Sequence, residues 1–152
     1  MDGLYTVDEA DAINALLPEL KAQNVDAIVA VIHQGGATPE RFDQQDCNQL
    51  SGDVVEVAKR LDPQIKVVLT AHTHEGYLCR LGDKLVTQGA SYGRLLTRLT
   101  LTLDPHKHQL LDVKAHNLVV DAQRYQASAE IAPLLAEIES RSQALLLSLI
   151  HI

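Results

Sequence analysis

Hydrophobic and polar positions follow three different rhythms along this chain. Over residues 7 to about 23 the apolar positions Ala10, Ile13, Leu16, Leu17 and Leu20 recur at intervals of three and four. Asp8 stands where it can cap the first turn, so this stretch predicts an amphipathic helix. Residues 27–32 are continuously apolar, the pattern of a strand covered on both faces. Gly35-Gly36 breaks the run and opens a polar loop to about residue 49. Residues 53–61 return to helical spacing, with Val54, Val57, Ala58 and Leu61 on one face, and Asp62-Pro63 stops them. Residues 65–69 form the next buried strand. Helix, strand, helix, strand is the signature of a βαβ-type unit with parallel strands.

The second half changes rhythm. Residues 77–80 and 84–88 flank Leu81-Gly82-Asp83, a hairpin turn signal. Residues 95–103 alternate, with Leu95, Thr97, Leu99, Leu101 and Leu103 against Leu96, Arg98, Thr100 and Thr102. A turn at residues 104–108 precedes another strand-like stretch, 109–120. These signals predict an antiparallel meander after the parallel unit. A last helix is expected over residues 129–146, with Ile131, Leu134, Leu135 and Ile138 as its apolar stripe. The fold class is therefore α/β.

Composition narrows the function classes. The 152 residues suffice for one domain with a real core. Aromatic content is only 3%, so Leu, Val, Ile and Ala must fill that core. A formal net charge of -7 argues against a broad nucleic-acid surface, though not against a nucleotide as substrate. No apolar run is long enough to span a membrane, and residues 1–5 have neither the basic region nor the apolar stretch of a signal peptide. Cys47 and Cys79 form no Cys-x-x-Cys pair. They are either two unrelated thiols or one disulfide, and loops at a shared sheet rim would allow the disulfide, which implies an oxidising compartment.

The candidate chemistry lies at strand ends. The run Val67-Val68-Leu69-Thr70-Ala71 leads straight into His72-Thr73-His74, and the 27–32 run leads into His33. Open α/β folds place their sites at the rim where strands end, and neutral imidazole is a common metal ligand. A single histidine at a strand end is ordinarily structural. Two such ends together point to one metal site formed by His33, His72 and His74. Gln34 and Glu75 are weighed as polar loop residues, Gly35 and Gly36 as turn or close-approach glycines, and His106, His108 and His116 as surface residues.

These residues carry a resemblance. His33-Gln34-Gly35-Gly36 after its strand resembles the strand-His-Gly segment of calcineurin-like metallophosphoesterases. Ala71-His72-Thr73-His74 is similar to their Gly-His-Thr-His motif, with Ala for Gly. Gln88-Gly89-Ala90-Ser91-Tyr92-Gly93-Arg94-Leu95 resembles the segment that follows in the bacterial 5'-nucleotidase branch, as do Cys47, Ser51-Gly52 and Tyr77-Leu78-Cys79. The resemblance implies a four-layer α/β/β/α sandwich and a centre of two divalent metal ions, Zn, Mn or similar. His33 and His72 would ligate one ion and His74 the other. It also implies hydrolysis of nucleotide phosphate esters by metal-activated water, and a periplasmic or secreted location.

The departures are equally definite. The family's Asp-x-His, its Gly-Asp with the bridging carboxylate, and its Asn-His motif with the catalytic histidine all lie upstream of the His33 segment. None appears here, so no catalytic residue is assigned. Residues 1–127 are expected to be the C-terminal half of the catalytic domain, and residues 128–146 a helix leading toward a missing C-terminal domain. Residues 147–152, including His151, match one reading frame of a transposon end used in sequencing libraries and are set aside as an adaptor tail. The parent's N-terminal half and C-terminal domain would be the missing partners. Alone, this chain is expected to hold at most one metal, weakly, to have little phosphatase activity, and to dissolve poorly. The alternative is a non-catalytic metal-binding or accessory α/β module.

Overall fold

A computed structural model describes residue 3 and residues 5–149, with side chains through residue 143. The chain divides into two compact units, Met1–Val119 and Val120–Ile152.

The first unit opens with two short helices where the periodicity predicts one. α1 (Glu9–Ala15) is capped by Asp8, whose Oδ1 accepts from the Asp11 amide at 3.1 Å. α2 (Leu17–Ala22) begins immediately after Leu16 and carries Pro18 in its first turn. Proline has no N–H to donate and its ring crowds the carbonyl four residues back, so the helix breaks there. The break turns Leu16 outward and buries Leu17.

β1 (Ile28–Val31), α3 (Asp53–Arg60), β2 (Ile65–Leu69), β3 (Gly76–Leu81) and β4 (Lys84–Gly89) follow. They build one sheet in the order β1-β2-β4-β3. β1, β2 and β4 run parallel, and β3 returns antiparallel to β4. The expected hairpin is present, but it is not part of a separate meander. β4 inserts beside β2, so the hairpin extends the parallel sheet. β5 (Leu95–Asp104) and β6 (Gln109–Val119) pair only with each other, as a two-stranded ribbon.

Each face of the sheet has its own core. On one face Ala30, Val68, Tyr77, Cys79 and Val86 meet Ala10 and Leu17 of α1 and α2, Val54, Val57 and Ala58 of α3, and Leu50. On the other, Val67, Leu78 and Leu85 meet Val113 and Ala115 of the ribbon. The layers are helices, sheet and ribbon, the fold class expected. β1 departs from its expected double cover. It is an edge strand, and Val31 is 75% exposed.

A disulfide joins Cys47 to Cys79 across the outer edge of β3. Two backbone bonds flank it, from the Cys47 amide to the Leu78 carbonyl at 3.0 Å and from the Arg80 amide to the Cys47 carbonyl at 2.9 Å. It fastens the long loop after β1 to the sheet.

The second unit holds α4 (Ala132–Leu149). Its predicted stripe, Ile131, Leu134, Leu135 and Ile138, is about half exposed. Of the stretch set aside as a tail, residues 147–149 continue α4, and residues 150–152 lie outside the described residues.

Candidate metal centre

The parallel register of β1 and β2 delivers the histidines to one rim. Val31 pairs with Leu69, and the Ile32 amide still bonds the Leu69 carbonyl at 2.9 Å. One residue further on, the chain leaves the sheet at His33. From β2 it leaves at Thr70, whose amide bonds the Thr87 carbonyl at 3.0 Å. The two departing loops are then tied to each other by the Ala71 amide, which donates to the Gln34 carbonyl at 3.2 Å.

The β2–β3 loop is strained where it carries the histidines. His72 and His74 both have left-handed backbones, with φ of 74° and 59°. Such conformations cost energy in residues with a Cβ and cluster at functional sites. Ala90 and Tyr92 in the facing β4–β5 loop are left-handed too. Gly35 and Gly36 serve close packing between backbones. A Cβ at Gly35 would stand 2.2 Å from the Ala71 carbonyl, and one at Gly36 2.3 Å from that of Ser51.

This scaffold brings two of the three candidate ligands together. His33 Nε2 and His72 Nδ1 are 3.3 Å apart, with the rings edge to face and 5.2 Å between centroids. Both residues are exposed to solvent. The ring of His74 meets Tyr92 at 5.7 Å instead. Among the described residues no three His, Cys, Asp or Glu side chains converge on one point.

The donor geometry can be tested against an ion. Two nitrogens bound at about 2.05 Å in a tetrahedral arrangement stand about 3.3–3.4 Å apart. The His33–His72 gap matches that edge and is long for a direct hydrogen bond between rings. These two imidazoles fit one divalent ion. They do not fit a pair of ions, because two dications need carboxylate to offset their repulsion, and none joins this cluster among the described residues.

Beneath the loops lies a polar cluster that sequence reasoning missed. Thr70, Thr87 and Gln88 are buried, and Tyr77 is fully so. Thr70 Oγ1 and the Tyr77 hydroxyl are 2.5 Å apart. Burial pushes the Tyr77 phenol above its ordinary pKa, partly offset by the Thr70 contact. Gln88, two residues after Leu85-Val86 in the 84–89 stretch, was the available signal. Asn117 forms a second buried joint, donating to the carbonyls of Phe42 at 2.9 Å and Gln88 at 3.1 Å and accepting from Thr97 Oγ1 at 2.6 Å. His106 and His116 are exposed, and exposed His108 lies 2.7 Å from Asp26, at the end of β1 opposite His33.

Comparison with known proteins agrees with this architecture. No family model matches the sequence. The structure is similar to the Thermus thermophilus sulfate thiohydrolase SoxB, with a TM-score of 0.69 and 19% identity over 95% of this chain and 24% of that one. Against a 5'-nucleotidase precursor from Thermus thermophilus the TM-score is 0.67, with 21% identity over 92% of this chain and 28% of the other. Against the calcineurin-like phosphoesterase YfkN of Bacillus subtilis it is 0.63, with 18% identity, covering 93% and 46%. The chain has part of the calcineurin-like phosphoesterase fold. Two curated relatives are similar in sequence. The endonuclease YhcR of Bacillus subtilis is 24% identical over 91% of this chain. The cell wall protein Lmo0130 of Listeria monocytogenes is 23% identical over 92%. This chain spans only 11% and 18% of their lengths.

Proposed function

We propose that this chain supplies one portion of a metal-dependent phosphoesterase centre of the 5'-nucleotidase type, acting on phosphate esters of nucleotides. The observation that carries the reading is the His33 Nε2 to His72 Nδ1 gap of 3.3 Å at the ends of adjacent parallel strands. His33 and His72 hold one divalent ion, and His74, two residues on, serves a second when further ligands are supplied. A bound divalent ion polarises a phosphoryl oxygen and makes water a better nucleophile. This chain's own residues orient the site. The left-handed turns at His72 and His74 aim the imidazoles, and Gly35 lets the two loops close on each other. The bridging carboxylate and the general acid come from outside this chain, so the chain alone is inactive. The Cys47–Cys79 disulfide and the likeness to a cell wall protein support a periplasmic or secreted setting.

A second reading, a non-catalytic metal-binding module, draws on the lack of any Asp or Glu in the histidine cluster among the described residues. Equilibrium dialysis against Zn(II), with hydrolysis of a nucleoside 5'-monophosphate followed in parallel, tests the ligand assignment and the shared-site reading. At most one weakly held ion per chain is expected, lost in His33→Ala and in His72→Ala and retained in His74→Ala, with no turnover. Turnover by the chain alone would overturn the shared-site reading. Binding that survives both His33→Ala and His72→Ala would overturn the ligand assignment.

A further inference from the structure

One amide and three hydroxyls fill the space under the two histidine loops. The Gln88 amide oxygen lies 3.3 Å from Thr70 Oγ1, 3.2 Å from Thr73 Oγ1 and 3.3 Å from the Tyr77 hydroxyl. Gln88 is 2% exposed, and its Nε2 has no hydrogen-bond partner among the described residues. A buried amide with an unmet donor is a liability beside buried Val86 and Thr87, and it calls for an explanation.

Counting protons defines the cluster. Thr73 donates to the Gly36 carbonyl at 2.7 Å, and Thr70 to the Thr87 carbonyl at 3.0 Å. That leaves the Tyr77 proton to divide between Thr70 Oγ1 and Gln88. Three hydroxyls therefore give the Gln88 oxygen at most one proton. Turned over, the amide donates to Thr73 Oγ1 and the Tyr77 hydroxyl, and every hydroxyl keeps its own acceptor. In either orientation Gln88 holds the end of β2, the loop after it and β3 at one point.

The same cluster spans the gap between the loops. Thr73 sits between His72 and His74, and its hydroxyl reaches across to Gly36, three residues past His33. A Cβ at Gly35 would stand 2.6 Å from Thr73 Oγ1 and 2.8 Å from Gln88 Oε1. The His33 loop thus rests on Thr73 and Gln88 with no spare room.

We infer that Thr73 and Gln88 form a positioning clasp that holds the His33 and His72 loops in register, so that the two imidazole nitrogens stand at metal-bridging distance. The clasp's use rests on the ligand reading above, but its geometry can be tested without metal. The test uses the full chain with Gln88→Met, which keeps the bulk and removes the amide, Thr73→Val, which keeps the shape and removes the hydroxyl, and Thr73→Ser, which restores the hydroxyl. Val86→Ala, in the same strand, is the control for general destabilisation.

In the metal-free protein, proton NMR should show a cross-relaxation contact between the His33 and His72 rings. The contact is lost in Gln88→Met and Thr73→Val and kept in Thr73→Ser and Val86→Ala. With Co(II) alone as probe, Gln88→Met and Thr73→Val should weaken binding about tenfold, the low end for losing an outer support of a metal site. Thr73→Ser should stay within about twofold of the parent, since the crossing hydroxyl is retained. Ring contact unchanged in Gln88→Met and Thr73→Val, absent in the parent, or equally lost in Val86→Ala would overturn the clasp. If the ring contacts behave as expected and the parent binds no Co(II), the ligand reading fails and the clasp stands.

Discussion

The sheet and the ribbon both carry many apolar side chains and bury them very differently. In the sheet, Val67, Val68, Leu78 and Val86 are at most 1% exposed, because helices cover one face and the ribbon covers the other. In the ribbon only the row facing the sheet is buried, chiefly Val113, Ala115 and Asn117. Leu96, Leu111 and Val119 are 50–60% exposed. Leu101 and Leu103 are 37% and 40% exposed, whereas Leu99 and Leu110 pack against the core between ribbon and sheet. A strand's side chains are buried only where a second layer lies over them, whatever their composition. The metal candidates sit where the well-covered layer ends.

The contrast is sharpest in paired truncations. Leu78→Ala should cost about 2–5 kcal/mol in denaturant unfolding, while Leu111→Ala changes stability by less than about 0.5 kcal/mol. Equal costs would mean the ribbon's outer face is covered in solution. The disulfide should contribute nearly as much as the larger core truncation. It closes a loop with a sequence separation of 32, so Cys47→Ser with Cys79→Ser should lose about 3–4 kcal/mol by the chain-entropy account. Thermal melting with and without reductant reads this directly.

The joint between the layers comes next. Asn117→Leu leaves the Phe42 and Gln88 carbonyls without their donor and should cost about 1–3 kcal/mol. Hydrogen exchange should then rise in the ribbon before it rises in β2 and β4. Val31→Lys with Leu96→Lys should leave the unfolding midpoint nearly unchanged, and sedimentation should show less self-association, since both positions are exposed and apolar. The smallest effect belongs to the surface ion pairs. Arg60 links Asp8 and Asp11 of α1 to the end of α3, and the Asp11 amide and Arg60 hold the Asp8 carboxyl below its ordinary range. A depressed carboxyl stabilises above its unfolded pKa and loses that contribution as pH falls through the folded one. Urea midpoints should therefore decline slightly less between pH 5 and pH 3 in Arg60→Ala than in the parent.

Much of the fold was legible because burial imposes rhythm. The apolar runs gave β1 and β2, the helical spacing gave α3, and Leu81-Gly82-Asp83 gave the β3–β4 hairpin within a residue or two. The break at Pro18 was written in the sequence too, but the apolar periodicity across it was the stronger pattern and masked it. Placing β4 beside β2 was not legible, since a strand's composition does not name its neighbour. Of the candidate ligands, strand ends pointed to His33, His72 and His74 together, yet the loop geometry joins only the first two.

The sequence by itself determined which segments must be covered, where the chain turns, and which residues could bind a metal, because side-chain polarity and spacing act locally. Only the tertiary structure decided that His33 and His72 stand 3.3 Å apart while His74 turns to Tyr92. It alone placed Gln88 beneath them and turned the Thr73 hydroxyl to the Gly36 carbonyl. Those distances depend on parallel register, on two left-handed turns and on a glycine pressed against a carbonyl. The register and the glycine contact join residues far apart in the chain, where no local pattern reaches.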